Sequence, residues 1–303
     1  MNKILITGGA GFIGSHLVEY FLNKNYIVHI FDNFLTGFKK NIPNNKKCFF
    51  HKVDVNNFEL ISKIMIKEKF DFIYHYSAVV GVNRTLKNPD LVLNDLEGLK
   101  NIFNLSVITN VKKIYYSSSS EIYGEPIHLP QHENTTPLNS RLPYAVIKNV
   151  GECFCKTYNY KYGLNFNIFR FFNTFGRRQS KDFVISKFLY LAKNNSDITI
   201  YGNGKQTRTF CYISDNIEST TSKLLESKFN NQVINIGSDI IYSINDVAKK
   251  IIEITGSKSK IIRLAPLKDG DMTRRQPDIK NMKKILGKKL ITLEEGLKKI
   301  IKN

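Results

Sequence analysis

Proline is scarce in this chain, eight in 303 residues beside 18 glycines, while 42% of residues are apolar and 23% charged. That balance excludes collagen, fibre and disorder and describes an ordinary globular chain. No repeat with a period of roughly 20–50 residues is visible, so a solenoid or propeller is excluded. Cysteine is sparse as well. Cys48, Cys153, Cys155 and Cys211 form no C-x-x-C pair and have no His-rich partner segment, so neither a metal centre nor a disulfide scaffold is expected. No apolar run reaches the ~18 residues of a membrane span, and the chain enters a strand directly after Met1 and Asn2 instead of a signal peptide. A cytoplasmic protein without membrane insertion is expected. Negative charge is the other shortage: 26 Asp and Glu face 45 Lys and Arg, a net of +19.

The two basic residue types are distributed differently. Lysines are spread throughout, as on a solvated surface, whereas seven of the nine arginines follow residue 165. Arginine's planar fork of donors suits phosphate, so the C-terminal half is a candidate anion site. There is no RRM-like aromatic motif, zinc knuckle or segregated basic tail, and nucleic acid is not expected as a partner.

The length fits two domains, or one large α/β domain with an appended lobe. Strand-like runs at 3–7, 26–32, 48–55, 70–78, 112–118 and 165–173 alternate with helical patterns. One such pattern has Ile13, Leu17 and Phe21 on one face. Another spans 89–109, where Leu91, Leu99, Ile102 and Phe103 are expected to face a core. Strict alternation predicts a doubly wound parallel sheet of the Rossmann kind, an α/β fold covered on both faces. Beyond about 174 the rhythm loosens: a turn at Gly202-Asn203-Gly204, a strand at 232–237, a helix at 243–255 capped by Gly256, and two short helices up to Ile301. The expected division is a dinucleotide-binding domain over 1–173, rejoined by about 230–256, and a smaller C-terminal substrate lobe from 174–229 and 257–303.

Gly8, Gly11 and Gly14 leave the first strand and open the first helix. Gly8 permits a tight turn, Gly11 lets backbone amides approach a pyrophosphate, and Gly14 lets helix and strand pack closely, with the phosphates at the positive helix end beside Phe12 and Ile13. Asp32 ends the next strand, where a carboxylate holds a ribose 2′-OH and repels a 2′-phosphate, so NAD is expected in preference to NADP. Asp54 closes the third strand, either accepting from the adenine amine or standing as a solvated strand-end carboxylate. Tyr144 and Lys148 lie four apart on one helix face. A phenol with an unperturbed pKa of about 10 is a poor base, and a nearby cation favours its phenolate. The hydroxyl cluster Ser117 to Ser120 lies at the carboxyl end of the fifth strand, where α/β sheets bind ligands.

These residues, with FRFFNTFG (169–176), TRTFCYISD (207–215) and RRQPDI (274–279), occur in an order that resembles the extended short-chain dehydrogenase/reductases acting on nucleotide sugars, with UDP-glucose 4-epimerase-like members nearest in look. The resemblance covers nearly the whole chain. It implies Tyr144 as catalytic base, Lys148 as its partner on the nicotinamide ribose, Ser119 as the hydroxyl on sugar O4, with Ser118 and Ser120 as alternatives, and Asn33, Val55 and Ala78 at the cofactor. It further implies Asn173 and Arg208 at the substrate diphosphate. Tyr201 is expected at the nucleotide or in the lobe core, and Arg84 at a substrate anion or at a helix start. Lys268 stands where many epimerases have an arginine closing over the nucleotide; a lysine keeps the charge and loses the bidentate fork. The shared first step so implied is hydride transfer from sugar C4 to NAD while Tyr144 takes the O4 proton. Dehydratases of the family carry an Asp-Glu pair where this chain has Ser120-Glu121, and a hydroxyl is a poor general acid, so dehydration is disfavoured. Decarboxylases share the Ser-Glu pair, but 78–89 lacks their Pro-rich loop, which favours redox-neutral C4 epimerisation. The family also implies a homodimer through helices matching 89–109 and 143–162, in which Phe103, Cys153, Phe154 and Tyr158 serve either the seam or the internal core.

Overall fold

Four strands spread through the first half of the sequence, at 3–7, 27–32, 72–75 and 113–119, are buried on both faces, which requires helices above and below them. The structure, a computed structural model, describes residues 2–223, 225–226, 229–266 and 273–302. In chain order the first elements are β1 (Lys3–Thr7), α1 (Phe12–Asn23), β2 (Ile27–Asp32), β3 (Cys48–Lys52), α2 (Phe58–Glu68), β4 (Phe72–His75), α3 (Val82–Lys87) and α4 (Pro89–Ile108). Then come β5 (Lys113–Ser119), a 3-10 turn over Ser120–Tyr123, α5 (Pro143–Tyr162), β6 (Asn165–Phe171), β7 (Thr174–Phe175), α6 (Val184–Lys193) and β8 (Ile198–Tyr201). The remainder is β9 (Thr207–Thr209), β10 (Cys211–Tyr212), α7 (Ile213–Thr221), β11 (Gln232–Ile236), β12 (Ile241–Ser243), α8 (Ile244–Thr255), β13 (Ile261–Leu264), α9 (Lys280–Leu286) and α10 (Leu293–Lys302).

Seven strands form one sheet in the order β11-β6-β5-β4-β1-β2-β3. The β1–β2, β2–β3, β1–β4 and β4–β5 pairings are parallel, with Leu5 opposite His29 and Ile73 in register. This is the doubly wound α/β architecture. The strands are shorter than the expected 48–55 and 70–78: the Asp54 carboxylate accepts from the Asn56 amide in a turn, and the Ser77 amide donates to the Thr7 hydroxyl instead of a neighbouring strand.

The chain divides into two compact units. The first contains the described residues of Met1–Ile122, Arg141–Arg170 and Thr220–Ile234; the second those of Tyr123–Ser140, Phe171–Ser219 and Asn235–Asn303. In the first unit α4 and α5 pack against each other, each opened by a proline in its first turn, where the missing N–H costs no helical bond. Phe103 is fully buried, with Phe154 and Tyr158 packed on it at ring distances of 5.6 and 5.2 Å, and Cys153 is exposed. Phe103 is therefore internal core. Leu99 and Ile102 are buried as expected, but Leu91, in the first turn of α4, is 41% exposed, while Val92 beside it is buried. In the second unit α8 begins with a capping box between Ser243 and Asp246 and ends at Gly256 in the left-handed region. It packs with α6, α10 and β8, where a return to the first domain was expected.

Candidate active site

The turn after β1 is built by two steric facts. Gly8 has φ +71° and a side chain there would come within 2.9 Å of the Ser77 amide; a Cβ at Gly14 would stand 2.2 Å from the Gly8 carbonyl oxygen. Gly11 caps α1 in extended backbone, so Phe12 and Ile13 are its first helical residues and their amides lie at the positive end of the helix. Asp32 ends β2, buried. Its Oδ2 accepts from the Ala10 amide (3.0 Å) and its Oδ1 from the Phe34 amide (2.8 Å). Burial raises its pKa and these two amides oppose the rise. Asn33 donates to Asp54 Oδ2 at 2.9 Å and the Asn56 amide to Oδ1, so the Asp54 carboxylate is held across the ends of β2 and β3. A glycine cradle too tight for any side chain, leading into a helix, with a fixed carboxylate at the next strand end, fits a dinucleotide.

A cleft in the first unit is lined by Val55, His75, Ser77, Ala78, Asp95, Leu99, Tyr116, Tyr144, Ile147 and Lys148. Tyr144 and Lys148 occupy successive turns of α5, Tyr144 half-buried and Lys148 only 4% exposed. The Lys148 ammonium donates to the Ser117 carbonyl (2.7 Å) and hydroxyl (3.2 Å) and lies 5.8 Å from the centre of the Tyr144 ring and 5.3 Å from that of Tyr116. Burial lowers its pKa to about 8, with the Asp95 carboxylate acting in the opposite sense. His75 is held neutral, its pKa lowered to about 3 by burial and then by Lys148. Its Nδ1 is 2.9 Å from Thr7 Oγ1, which also accepts from the Tyr76 and Ser77 amides and the Ser77 hydroxyl, tying the glycine turn to the end of β4.

The serine cluster is sorted by its partners. Ser118 donates to buried Glu152 (2.6 Å), which also accepts from Arg170 at 2.9 and 2.8 Å. Ser119 ends β5, and its hydroxyl oxygen accepts from the Glu121 amide at 3.1 Å. Ser120 is buried at the start of the 3-10 turn, with Glu121 next to it. Arg84 donates to the Val80 carbonyl (2.8 Å), spanning the start of α3.

In the second unit Asn173 donates to the Thr209 carbonyl (3.2 Å), and its own carbonyl accepts from the Cys211 amide, so it is fixed between β7, β9 and β10. Arg208 is buried in β9 opposite Tyr242 and donates to the Thr207 carbonyl. Tyr201 ends β8, 36% exposed, with the Lys187 ammonium 5.5 Å from its ring centre. Lys268 lies outside the described residues.

Thr7, His75, Ser77 and Asp95 were not singled out from sequence, and Ser117 only as a member of the serine cluster. Asp95 had one usable signal: it precedes Leu99 by four residues on a helix, so the two share a face, and both line the cleft. Among the described residues, no three His, Cys, Asp or Glu side chains are grouped for a metal, and no helix is long and apolar enough to cross a membrane.

The profile of the NAD dependent epimerase/dehydratase family matches residues 4–237. A protein of Methanocaldococcus jannaschii named "Putative UDP-glucose 4-epimerase" is 36% identical over 304 residues, 98% of this chain and 97% of that one. The UDP-N-acetyl-alpha-D-glucosaminuronate decarboxylase of Bacillus cytotoxicus is 33% identical over 323 residues, 99% of this chain and 97% of that one. The crystal structure of the Thermotoga maritima UDP-glucose 4-epimerase with UDP-glucose superposes with a TM-score of 0.93 at 28% identity, covering 99% of this chain and 97% of that one. The matched residues take in both the glycine turn after β1 and the buried Lys148 four residues after Tyr144, and the chain belongs to the NAD-dependent epimerase/dehydratase family.

Proposed function

We propose that the protein inverts C4 of a nucleotide sugar, a UDP-hexose, through a transient 4-keto sugar, and that it does so in the cytoplasm as a homodimer. The first unit would hold NAD through Gly8, Gly11, Phe12, Ile13, Gly14, Asp32, Asn33, Asp54, Val55 and Ala78, with Tyr144 and Lys148 at the nicotinamide end. The second would hold the sugar nucleotide. NAD when bound supplies the acceptor, and for net inversion the donor, of the C4 hydride. Tyr144 takes the O4 proton and later returns it, Ser119 hydrogen-bonds O4, and the Lys148 ammonium favours the phenolate. Asn173 and Arg208 bind the diphosphate, Tyr201 the nucleotide, and Lys268 closes over it. Arg84 and Ser120 complete the sugar pocket.

The observation that carries this reading is Lys148, pinned by Ser117 beside the Tyr144 ring in a cleft at the carboxyl end of β5. A second reading rests on Glu121 and on the decarboxylase-named relative. A 4-keto sugar that carries a C6 carboxylate is a β-keto acid and loses CO2 readily. Whether C4 is inverted or CO2 lost then depends on the substrate and on whether Glu121 holds a sugar hydroxyl or water. Dehydration is disfavoured by Ser120, which cannot act as the acid. Incubation with UDP, GDP and dTDP sugars followed by NMR decides: a C4 epimer is the expected product, CO2 with a pentose supports the second reading, and a 4-keto-6-deoxy sugar overturns both.

A further inference from the structure

Where α5 packs on β5, it does so at a glycine. Gly151 is buried seven residues beyond Tyr144, hence on the same helix face two turns on. A Cβ built there would stand 2.1 Å from the Tyr116 hydroxyl oxygen and 2.2 Å from Tyr116 Cζ. The end of the Tyr116 ring therefore fills the room that a side chain on α5 would need. The ring has no space to swing aside, because it is 2% exposed, stacks on the His75 ring at 6.1 Å and 27°, and shares its core with Phe103, Ile147 and Cys155. Burial pushes its phenol well above the usual tyrosine range, so it carries no charge. One residue beyond Gly151, Glu152 is drawn to the sheet by Ser118 of β5 and Arg170 of β6. Attraction at Glu152 pulls the helix inward, and the Tyr116 ring limits how far it comes. A helix is stiff over two turns, so the limit set at Gly151 is passed to Tyr144, about 10 Å along the axis. Ser119 stays with the strand, three residues after Tyr116.

We propose that Tyr116 is a positioning residue: the end of its ring, lodged in the gap that Gly151 leaves in α5, sets the separation of α5 from β5 and with it the placement of Tyr144 relative to Ser119. This rests on the roles given above to Tyr144 and Ser119, but its test does not require that the sugar reaction be identified. Gly151→Ala forces helix and strand apart. It should lower kcat by about 10- to 100-fold, since a misplacement near 1 Å costs up to ~100-fold, with KM little changed. NADH is the probe for the cofactor end. Its affinity should change little, because the glycine turn after β1 is untouched, while the fluorescence of its nicotinamide should differ from that in the parent protein. Tyr116→Leu removes the limit and should lower kcat as well; Tyr116→Phe keeps the ring and should lose far less. In the double variant Tyr116→Leu, Gly151→Ala the new methyl takes the room that the ring end gives up, a nearly volume-conserving exchange. Its melting temperature and NADH emission should return toward the parent values, and its kcat should exceed that of either single variant, a coupling that independent sites do not show. Melting temperature follows any repacking, whereas emission and kcat follow placement at the nicotinamide end. If Gly151→Ala does not fold, the double variant should. A double variant that melts no higher than Gly151→Ala, or that keeps its NADH emission, overturns the proposal, as does a Tyr116→Phe protein that loses as much as Tyr116→Leu. Restored emission in a protein that turns over no nucleotide sugar overturns the reaction and leaves the spacing intact; a C4 epimer made at the parent rate by Gly151→Ala overturns the spacing and leaves the reaction intact.

Discussion

The hydroxyl of Ser118 donates to Glu152 across 2.6 Å, inside a pair that Arg170 completes with two bonds of 2.9 and 2.8 Å. Glu152 and Arg170 are 1% and 2% exposed, so this is a buried, bidentate ion pair with the serine as its third member. It commits Ser118 to the scaffold and leaves Ser119, the next residue, at the open end of β5.

Removing one partner of such a pair leaves an uncompensated buried charge. Glu152→Ala should therefore lower unfolding free energy by about 3–5 kcal/mol, whereas Ser118→Ala, which deletes one hydrogen bond, should cost about 1 kcal/mol. Urea denaturation measures both. Equal, small losses would mean that the pair is solvated in solution.

Tyr144→Phe keeps the ring against the α5 core and removes the phenolic oxygen. Turnover should drop by ~100-fold or more, the usual contribution of a general base, with NAD affinity by calorimetry nearly unchanged. Near-normal turnover would remove Tyr144 from the chemistry.

At Gly14 an added methyl meets backbone atoms, which cannot step aside as a side-chain end can. Gly14→Ala is expected to cost ~1–3 kcal/mol in stability and to weaken NAD by about tenfold or more, since the displaced turn is the cradle itself. Gly163→Ala is the control. Its φ is +69° with open space around it, so it should cost only about 1–2 kcal/mol of strain and leave NAD binding alone.

Acid should destabilise the fold through two buried histidines. Burial, and then His51, lowers His29 from 6.5 to about 4; burial, and then Lys148, lowers His75 to about 3. Between those values and 6.5 the unfolded chain binds more protons than the folded one. Stability is therefore complete above about pH 6.5 and declines as pH falls toward 4 and then 3. Melting temperatures from pH 7.5 to 4.5 should show the decline, and His29→Gln should flatten it. Parallel curves for the two proteins would show that His29 does not contribute.

The glycine turn, the strand–helix alternation, Asp32 at the end of β2 and the shared face of Tyr144 and Lys148 were all legible from sequence. Each depends on local backbone geometry or on a helical or strand period, and those are written in neighbouring residues. Other features needed the tertiary fold. Which serine is committed to the scaffold was decided by Glu152, 34 residues away. The burial of Lys148 was decided by Ser117, 31 residues away. The same holds for the arrival of Asp95 in the cleft, the exposure of Leu91 and the partners of α8. Contacts between distant segments depend on how whole elements pack, and packing leaves no periodic trace in the segments that meet.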